Sequence, residues 1–345
     1  MTKEQIIEAV QLNIAGQGSQ VDISGKLAGI LSEIANGAKF NQQAKVTVRV
    51  YAYNKDEDAG EWVPDAGATG NVIVKGFTES GETLPVQEIP FTIPEDGDDT
   101  FAVVELTANV GDTIGIMAKI AEKGASCQFV QKVVGPTTVP VEIYPAGIYE
   151  IGDGALSITP GEDVCNGFAI ITEDFALALP THQRSGYDEE YVQWGGMFQP
   201  VPFVLKTDKD TEAVKDFDGA LNSAAILSVV GDEKAAARVA TDMGDIAYNR
   251  VNPFLPSAGM LKYLYDHKTE INAFIAAETE AYEPETDYDQ LPNLTCWSST
   301  DYKQDDDIAV YAWFVDLPRG SVRYDYRSNG NRSSVLSVSA FQFTF

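Results

Sequence analysis

Few side chains in this chain could carry covalent chemistry. Histidine occurs only at His182 and His267, and cysteine only at Cys127, Cys165 and Cys296. An activated nucleophile needs a base within hydrogen-bond reach, and neither a Gly-x-Ser-x-Gly turn nor a neighbouring Cys and His supplies one. His182 follows Pro180 and Thr181 in a predicted loop, and His267 falls on a predicted helix as an ordinary exposed side chain. Glycoside hydrolysis would need two carboxylates about 5 to 10 Å apart, and among 52 Asp and Glu no pair stands out. The cysteines lack the close spacing of a zinc site or a disulfide framework. Three reduced thiols are expected, with a Cys165–Cys296 bridge as the alternative. No catalytic residue, metal ligand or cofactor is assigned.

Recognition chemistry is better supplied. From Cys296 to the end, Tyr, Asp, Ser, Asn and Arg alternate with apolar residues. Tyrosine gives large contact area at small entropic cost, while Ser and Asn supply adaptable hydrogen bonds. The candidate ligand-binding residues are Asp301, Tyr302, Tyr311, Arg323, Tyr324, Asp325, Tyr326, Asn329 and Asn331. On a strand, Tyr324 and Tyr326 share one face, and Arg323, Asp325 and Arg327 share the other. Trp194, Trp297 and Trp313 sit in apolar surroundings and are expected in the core. Asp305, Asp306 and Asp307 are expected as a solvated loop, with ligand or metal contact as the alternative.

The elements that must position these residues follow from composition and period. The chain has 345 residues, 44% of them hydrophobic, which favours two domains with real cores. A net charge of -28 repels phosphate backbones and anionic bilayers, so nucleic acid and membrane are poor partners. Neither a transmembrane span nor a secretory leader is visible, and the chain is expected to be made without export. Ile6, Ile7, Val10 and Ile14, then Leu27, Ile30, Leu31 and Ile34, recur at helical spacing. Two helices this short cannot bury their own stripes, so residues 1–40 are expected to be an anchor that drives oligomerisation.

From about residue 41 the period becomes two. Runs at 46–50, 72–74, 89–93, 103–106, 114–116, 129–130 and 139–143 predict seven strands of an all-β sandwich spanning 41–144. Acidic turns at 56–58 and 95–99 are expected to be solvated, with calcium as the sharper alternative. Pro136, Pro140 and Pro145 mark the boundary of a third segment, 145–345. There, residues 167–179 predict a hairpin, 212–228, 233–251 and 259–277 predict helices, and 253–257 a rigid turn. Strands return around 296, 309–315, 321–326 and 335–345. Helices bracketed by strands predict an α+β domain.

The sequence order "GFAIITEDFALALP", "YVQWGG", "DFDGALNSAAIL", "ATDMGDIAYN", "FLPSAGMLKYLYDHKTEINAFI", "CWSSTDY" and "AVYAWFVDLPRGSVRYDYRSNGNRSSVLSVSAFQF" resembles C-type-lectin-fold ligand-binding proteins of gut phages and bacteria. The resemblance covers about residues 145 to 345. It implies an α+β C-type-lectin-like domain, here preceded by the sandwich and the short helical segment. It further implies a virion structural protein of a head or tail fibre, assembled in the host cytoplasm, that binds a bacterial surface glycan or protein. Its other partners would be virion proteins and copies of itself, most simply as a trimer, whose several weak sites would add through avidity. Some relatives are diversified by retroelements acting on adenines, and the Tyr, Asp, Ser and Asn palette fits that origin. The sequence lacks the Glu-Pro-Asn and Trp-Asn-Asp triplets that hold a sugar-bridging calcium. The alternatives are an exported bacterial surface adhesin or pilus tip and, more remotely, an oxidase of the formylglycine-generating type, for which Cys296 lacks a partner thiol.

Overall fold

From Gln43 onward, apolar residues at every second position build strands that share one interior. The computed structural model describes residues 42–345 except 57, 96–99, 153–154, 159–164, 182–191, 202, 232–234, 244–249, 282–287, 304–309, 330–333 and 344–345. The expected helical anchor at 1–40 lies outside these residues, as do His182, Asn331 and the 305–307 aspartates.

The first nine strands are β1 (Gln43–Asp56), β2 (Glu61–Pro64), β3 (Thr69–Phe77), β4 (Gln87–Thr92), β5 (Phe101–Asn109), β6 (Thr113–Ile120), β7 (Gly124–Ala125), β8 (Phe129–Lys132) and β9 (Thr137–Ile143). All seven predicted runs fall on strands of this set, the run at 89–93 ending one residue past β4. In one sheet β1 is flanked by antiparallel β5 and parallel β9, with β2 on its C-terminal end. In the other, β4, β3 and β6 run in order, and β7 and β8 both pair with β6. Val46, Val48 and Val50 from the first sheet and Val72, Val74, Ile114 and Ile116 from the second enter a single core, an arrangement compatible with the expected sandwich. The turn after β1 uses Asp56 as an acceptor: its Oδ1 takes the amides of Asp58 and Ala59, both at 3.1 Å.

The remaining strands are β10 (Gly147–Ile151), β11 (Gly167–Ile171), β12 (Ala176–Leu179), β13 (Lys206–Thr207), β14 (Arg250–Phe254), β15 (Thr295–Tyr302), β16 (Tyr311–Asp316), β17 (Ser321–Tyr326) and β18 (Val338–Phe341). They form two sheets, ordered β10-β11-β12-β18-β14 and β13-β15-β16-β17. Helices α1 (Asp210–Ala213), α2 (Gly219–Val229), α3 (Ala236–Met243), α4 (Ala258–Asp266) and α5 (Lys268–Ala281) lie between β13 and β15 in the chain. The described chain is thus β-rich, with several sheets. β11 and β12 form the expected hairpin, with Phe168 opposite Leu179.

Three predicted elements differ. The helix expected over 212–228 is broken because Asp216 turns inward. Its backbone carbonyl accepts Ser257 Oγ at 2.5 Å and the Gly259 amide at 3.1 Å instead of a helical partner. Of the helix expected over 233–251, the described residues form a helix over Ala236–Met243 and a strand over Arg250–Phe254. Pro253 has no amide to give a helix, while Val251 pairs with Ala340 and Phe254 with Val338 of β18. The third helix divides at His267, whose Nδ1 lies 3.0 Å from the Tyr263 carbonyl and whose ring stacks on Tyr263 at 3.9 Å. His267 is therefore half-buried, not the exposed side chain expected.

The core does not stop at the proline-rich stretch. Ile151, Ala169, Ile171, Ala176, Ala178, Ala340 and Phe341 belong to the same apolar cluster as the sandwich valines. Polar bonds reinforce the join: Lys75 Nζ meets Asp218 at 2.7 Å, and Gln128 donates to Asp218 at 3.0 Å while accepting the Leu221 amide at 3.0 Å. The Phe341 amide lies 3.4 Å from Cys127 Sγ.

Candidate functional site

Three strands carry the aromatic residues that the sequence singles out. Within β16 and β17 the register sets Tyr311 opposite Tyr326 and Trp313 opposite Tyr324. With Tyr302 from β15 these rings form one continuous layer on one sheet face. Ring centroids lie 4.1 Å apart for Tyr302 and Tyr324, 4.5 Å for Tyr311 and Tyr326, and 5.3 Å for Tyr302 and Trp313. Each such pair contributes about 0.5–1.5 kcal/mol beyond area burial, so the layer is preorganised. One end is roofed. Trp313 is buried against Ala213 and Ala258, and its indole donates to the Thr207 carbonyl at 3.0 Å. The other end is open, with Tyr324 49% and Tyr326 50% exposed. The Tyr311 hydroxyl titrates above the usual tyrosine range, first because of its hydrogen bond to Tyr326 and then through burial.

Behind this face lies a buried charge pair. Arg327 is 0% and Asp301 1% exposed, and Arg327 Nη2 meets Asp301 Oδ1 at 2.5 Å. Arg327 Nη1 donates to the carbonyls of Gly196 at 3.0 Å and Gln199 at 2.9 Å, and its guanidinium lies 4.2 Å from the Trp194 ring centre. Burial raises the Asp301 carboxyl above the usual carboxylate range, against the opposing pull of Arg327. Asp301, expected as a surface ligand contact, is instead a buried support: its side chain is 1% exposed and bonds to Arg327 and to the Tyr302 amide.

The other expected residues divide. Tyr302 and Tyr311 are half-buried within the layer. Asp325 is half-buried and accepts the Tyr326 amide at 2.7 Å and the Asn329 side chain at 2.9 Å, so both Asp325 and Asn329 brace the end of β17. Arg323 is exposed, in the alternate register to the tyrosines. Trp194 and Trp297 are fully buried, as expected of core residues.

Sequence reasoning missed the loop that Arg327 holds. Gly195 and Gly196 have φ of 90° and 61°, and a Cβ on Gly196 would meet Val230 Cγ2 at 2.6 Å. Phe198 also has a positive φ of 62° and is 66% exposed, an aromatic held in a strained backbone beside Arg327's carbonyl partners. The only signal was the Trp-Gly-Gly run. A separate cleft of about 640 Å³ runs between residues 77–81 of the sandwich, Pro200, Val201, Lys206 and the end of α2. None of the expected ligand-binding residues lines it.

Nucleophilic chemistry finds no support in the thiols. Cys296 is buried, and burial pushes its thiol up to about 12; burial likewise raises Cys165 to about 12. Among the described residues no group of His, Cys, Asp and Glu is arranged to hold a metal ion, and no helix is long and apolar enough to cross a membrane. No protein-family model matches the chain, and no curated protein matches it either.

Proposed function

We propose that this chain is a binding protein whose recognition surface is the open end of the tyrosine layer. The observation that carries this reading is the grading of one aromatic face from a roofed Trp313 to half-exposed Tyr324 and Tyr326. Large apolar rings left exposed next to a rigid, hydrogen-bonded support are the composition of a binding hot spot. The resemblance of residues 145–345 extends the proposal: a lectin-like head on a phage virion fibre, contacting a bacterial surface glycan or protein, in a trimer whose copies add avidity. The acidic surface, with 52 acids against 24 bases, agrees with a partner that is not a polyanion.

Attachment to bacterial cells tests it. Replacing Tyr302, Tyr324 and Tyr326 together by Ala should lower the affinity of fluorescently labelled protein for cells it binds by at least about thirtyfold, the loss of one hot spot of about 2 kcal/mol. Unchanged attachment by a folded triple variant would place the site elsewhere.

A further inference from the structure

At the C-terminal end of β1, three side chains from separate segments meet. Asn54 lies on β1 opposite Val63 of β2, Asp65 follows β2, and Lys123 occupies the turn between β6 and β7. The Lys123 ammonium donates to Asp65 Oδ2 and lies 2.8 Å from Asn54 Oδ1. Asn54 Nδ2 in turn donates to Asp65 Oδ1 at 2.8 Å. Backbone bonds hold both ends: the Asp65 amide donates to the Ala52 carbonyl at 2.8 Å, and the Lys123 carbonyl accepts the Ala146 amide at 2.8 Å. The charged side chains are largely shielded, Lys123 at 13% and Asp65 at 22% exposure.

An ordinary ion pair needs only the lysine and the carboxylate. This cluster adds a carboxamide in contact with both, so that each oxygen of one carboxylate faces a different nitrogen. Oδ2 faces the nitrogen that could attack, and Oδ1 faces the nitrogen that could leave. A general base must lie within hydrogen-bond reach of the proton it takes, and intramolecular attack is fast when the reacting groups are held in contact.

We propose that Lys123 and Asn54 form an intramolecular isopeptide bond, with Asp65 as the catalytic base and acid. Asp65 Oδ2 takes a proton from the Lys123 ammonium, and the freed amine attacks Asn54 Cγ. The Nζ–Cγ bond forms, the Cγ–Nδ2 bond breaks, and a proton passed through Asp65 lets Nδ2 depart as ammonia, which carries the lysine's surplus proton away as ammonium. Asp65 returns to its starting state, and no oxidant or reductant is consumed. The product ties the first sheet to the second across 69 residues of chain. Such a link removes conformational freedom from the unfolded state and would suit a module that bears load.

Intact-mass measurement of the denatured, purified full chain decides the matter. The wild-type protein should be lighter than its sequence by one ammonia, and protease digestion should yield a branched peptide joining the Asn54 and Lys123 segments. Asp65→Asn and Lys123→Arg should restore the full mass. A wild-type chain at full mass overturns the proposal whether or not the variants fold. A deficit of one water with Lys123 joined to Asp65 also overturns it, because the acceptor would then be the carboxylate.

Discussion

The two ends of the aromatic layer place the same residue class in opposite surroundings. At one end Trp313 is buried with its indole hydrogen-bonded, and behind the sheet Trp297 is fully buried against Phe314. At the other end Tyr324 and Tyr326 are half exposed although they sit in the next strand of the same sheet. Residue type does not separate these roles; cover does. Ala213 and Ala258 close the layer over Trp313, whereas beyond Tyr324 no such roof is built among the described residues. The proposed recognition surface is thus the uncovered continuation of a core, stiffened by the part that is covered.

The largest effect should come from the buried charge pair that supports the open end. Arg327→Met removes the partner of Asp301, leaving a carboxylate buried in the protein, and also frees the carbonyls of Gly196 and Gln199. Breaking such a pair typically costs about 3–5 kcal/mol, whereas replacing both partners by apolar residues is often neutral. Urea unfolding should show that loss for Arg327→Met and recovery of most of it when Asp301→Leu is added. Equal instability in single and double variants would mean that the carbonyl bonds, not the charge pair, hold the support.

Asp216 offers a second, somewhat smaller effect on the roofed side. Its carboxyl is buried and accepts Asn222 at 2.8 Å and Thr300 at 2.7 Å, yet burial and the nearby Asp218 raise it to about 6. The folded protein therefore holds this proton at pH values where the unfolded chain, near 3.8, has lost it. Stability from this group is greatest below that lower value, falls as pH rises through the window, and is level above about 6. Relative to Asp216→Asn, the wild type should lose about 2 kcal/mol between pH 4 and 7. Urea midpoints measured for both proteins across that range check it. A difference independent of pH would show that Asp216 does not titrate there.

How much of this was legible beforehand depends on how local the causes are. The sandwich strands were readable because Val46, Val48 and Val50 repeat with the period of a strand and all enter one core. The parity of Tyr324 and Tyr326 was readable for the same reason. The break at Asp216 was not, since the groups that draw it inward come from positions 6, 41 and 84 residues away. Arg327 was correctly assigned to the register opposite the tyrosines, but nothing local announces that Asp301 and two loop carbonyls wait there. The prolines near 136–145 looked like a boundary because chain stiffness is local, whereas the apolar cluster that crosses it is assembled from distant strands.

The smallest expected effect tests the comparison most directly. If Tyr324 and Tyr326 are uncovered for binding, their removal should barely disturb the fold, because half-exposed side chains give up little buried area and surface substitutions usually stay within about 0.5 kcal/mol. Half-exposed rings realise only part of the about 0.5–1.5 kcal/mol of each of their four contacts with Tyr302, Tyr311 and Trp313, so the expected loss is about 1 kcal/mol. Trp297→Ala, on the covered side, should instead cost about 3–5 kcal/mol through the cavity it leaves. Measured side by side in urea, the Tyr324→Ala/Tyr326→Ala double variant should unfold within a few tenths of a molar of the wild type while Trp297→Ala unfolds far earlier. Should the double variant fall as far as Trp297→Ala, the tyrosines would be part of the core's own support, and the open end of the layer would lose its standing as a surface kept for a partner.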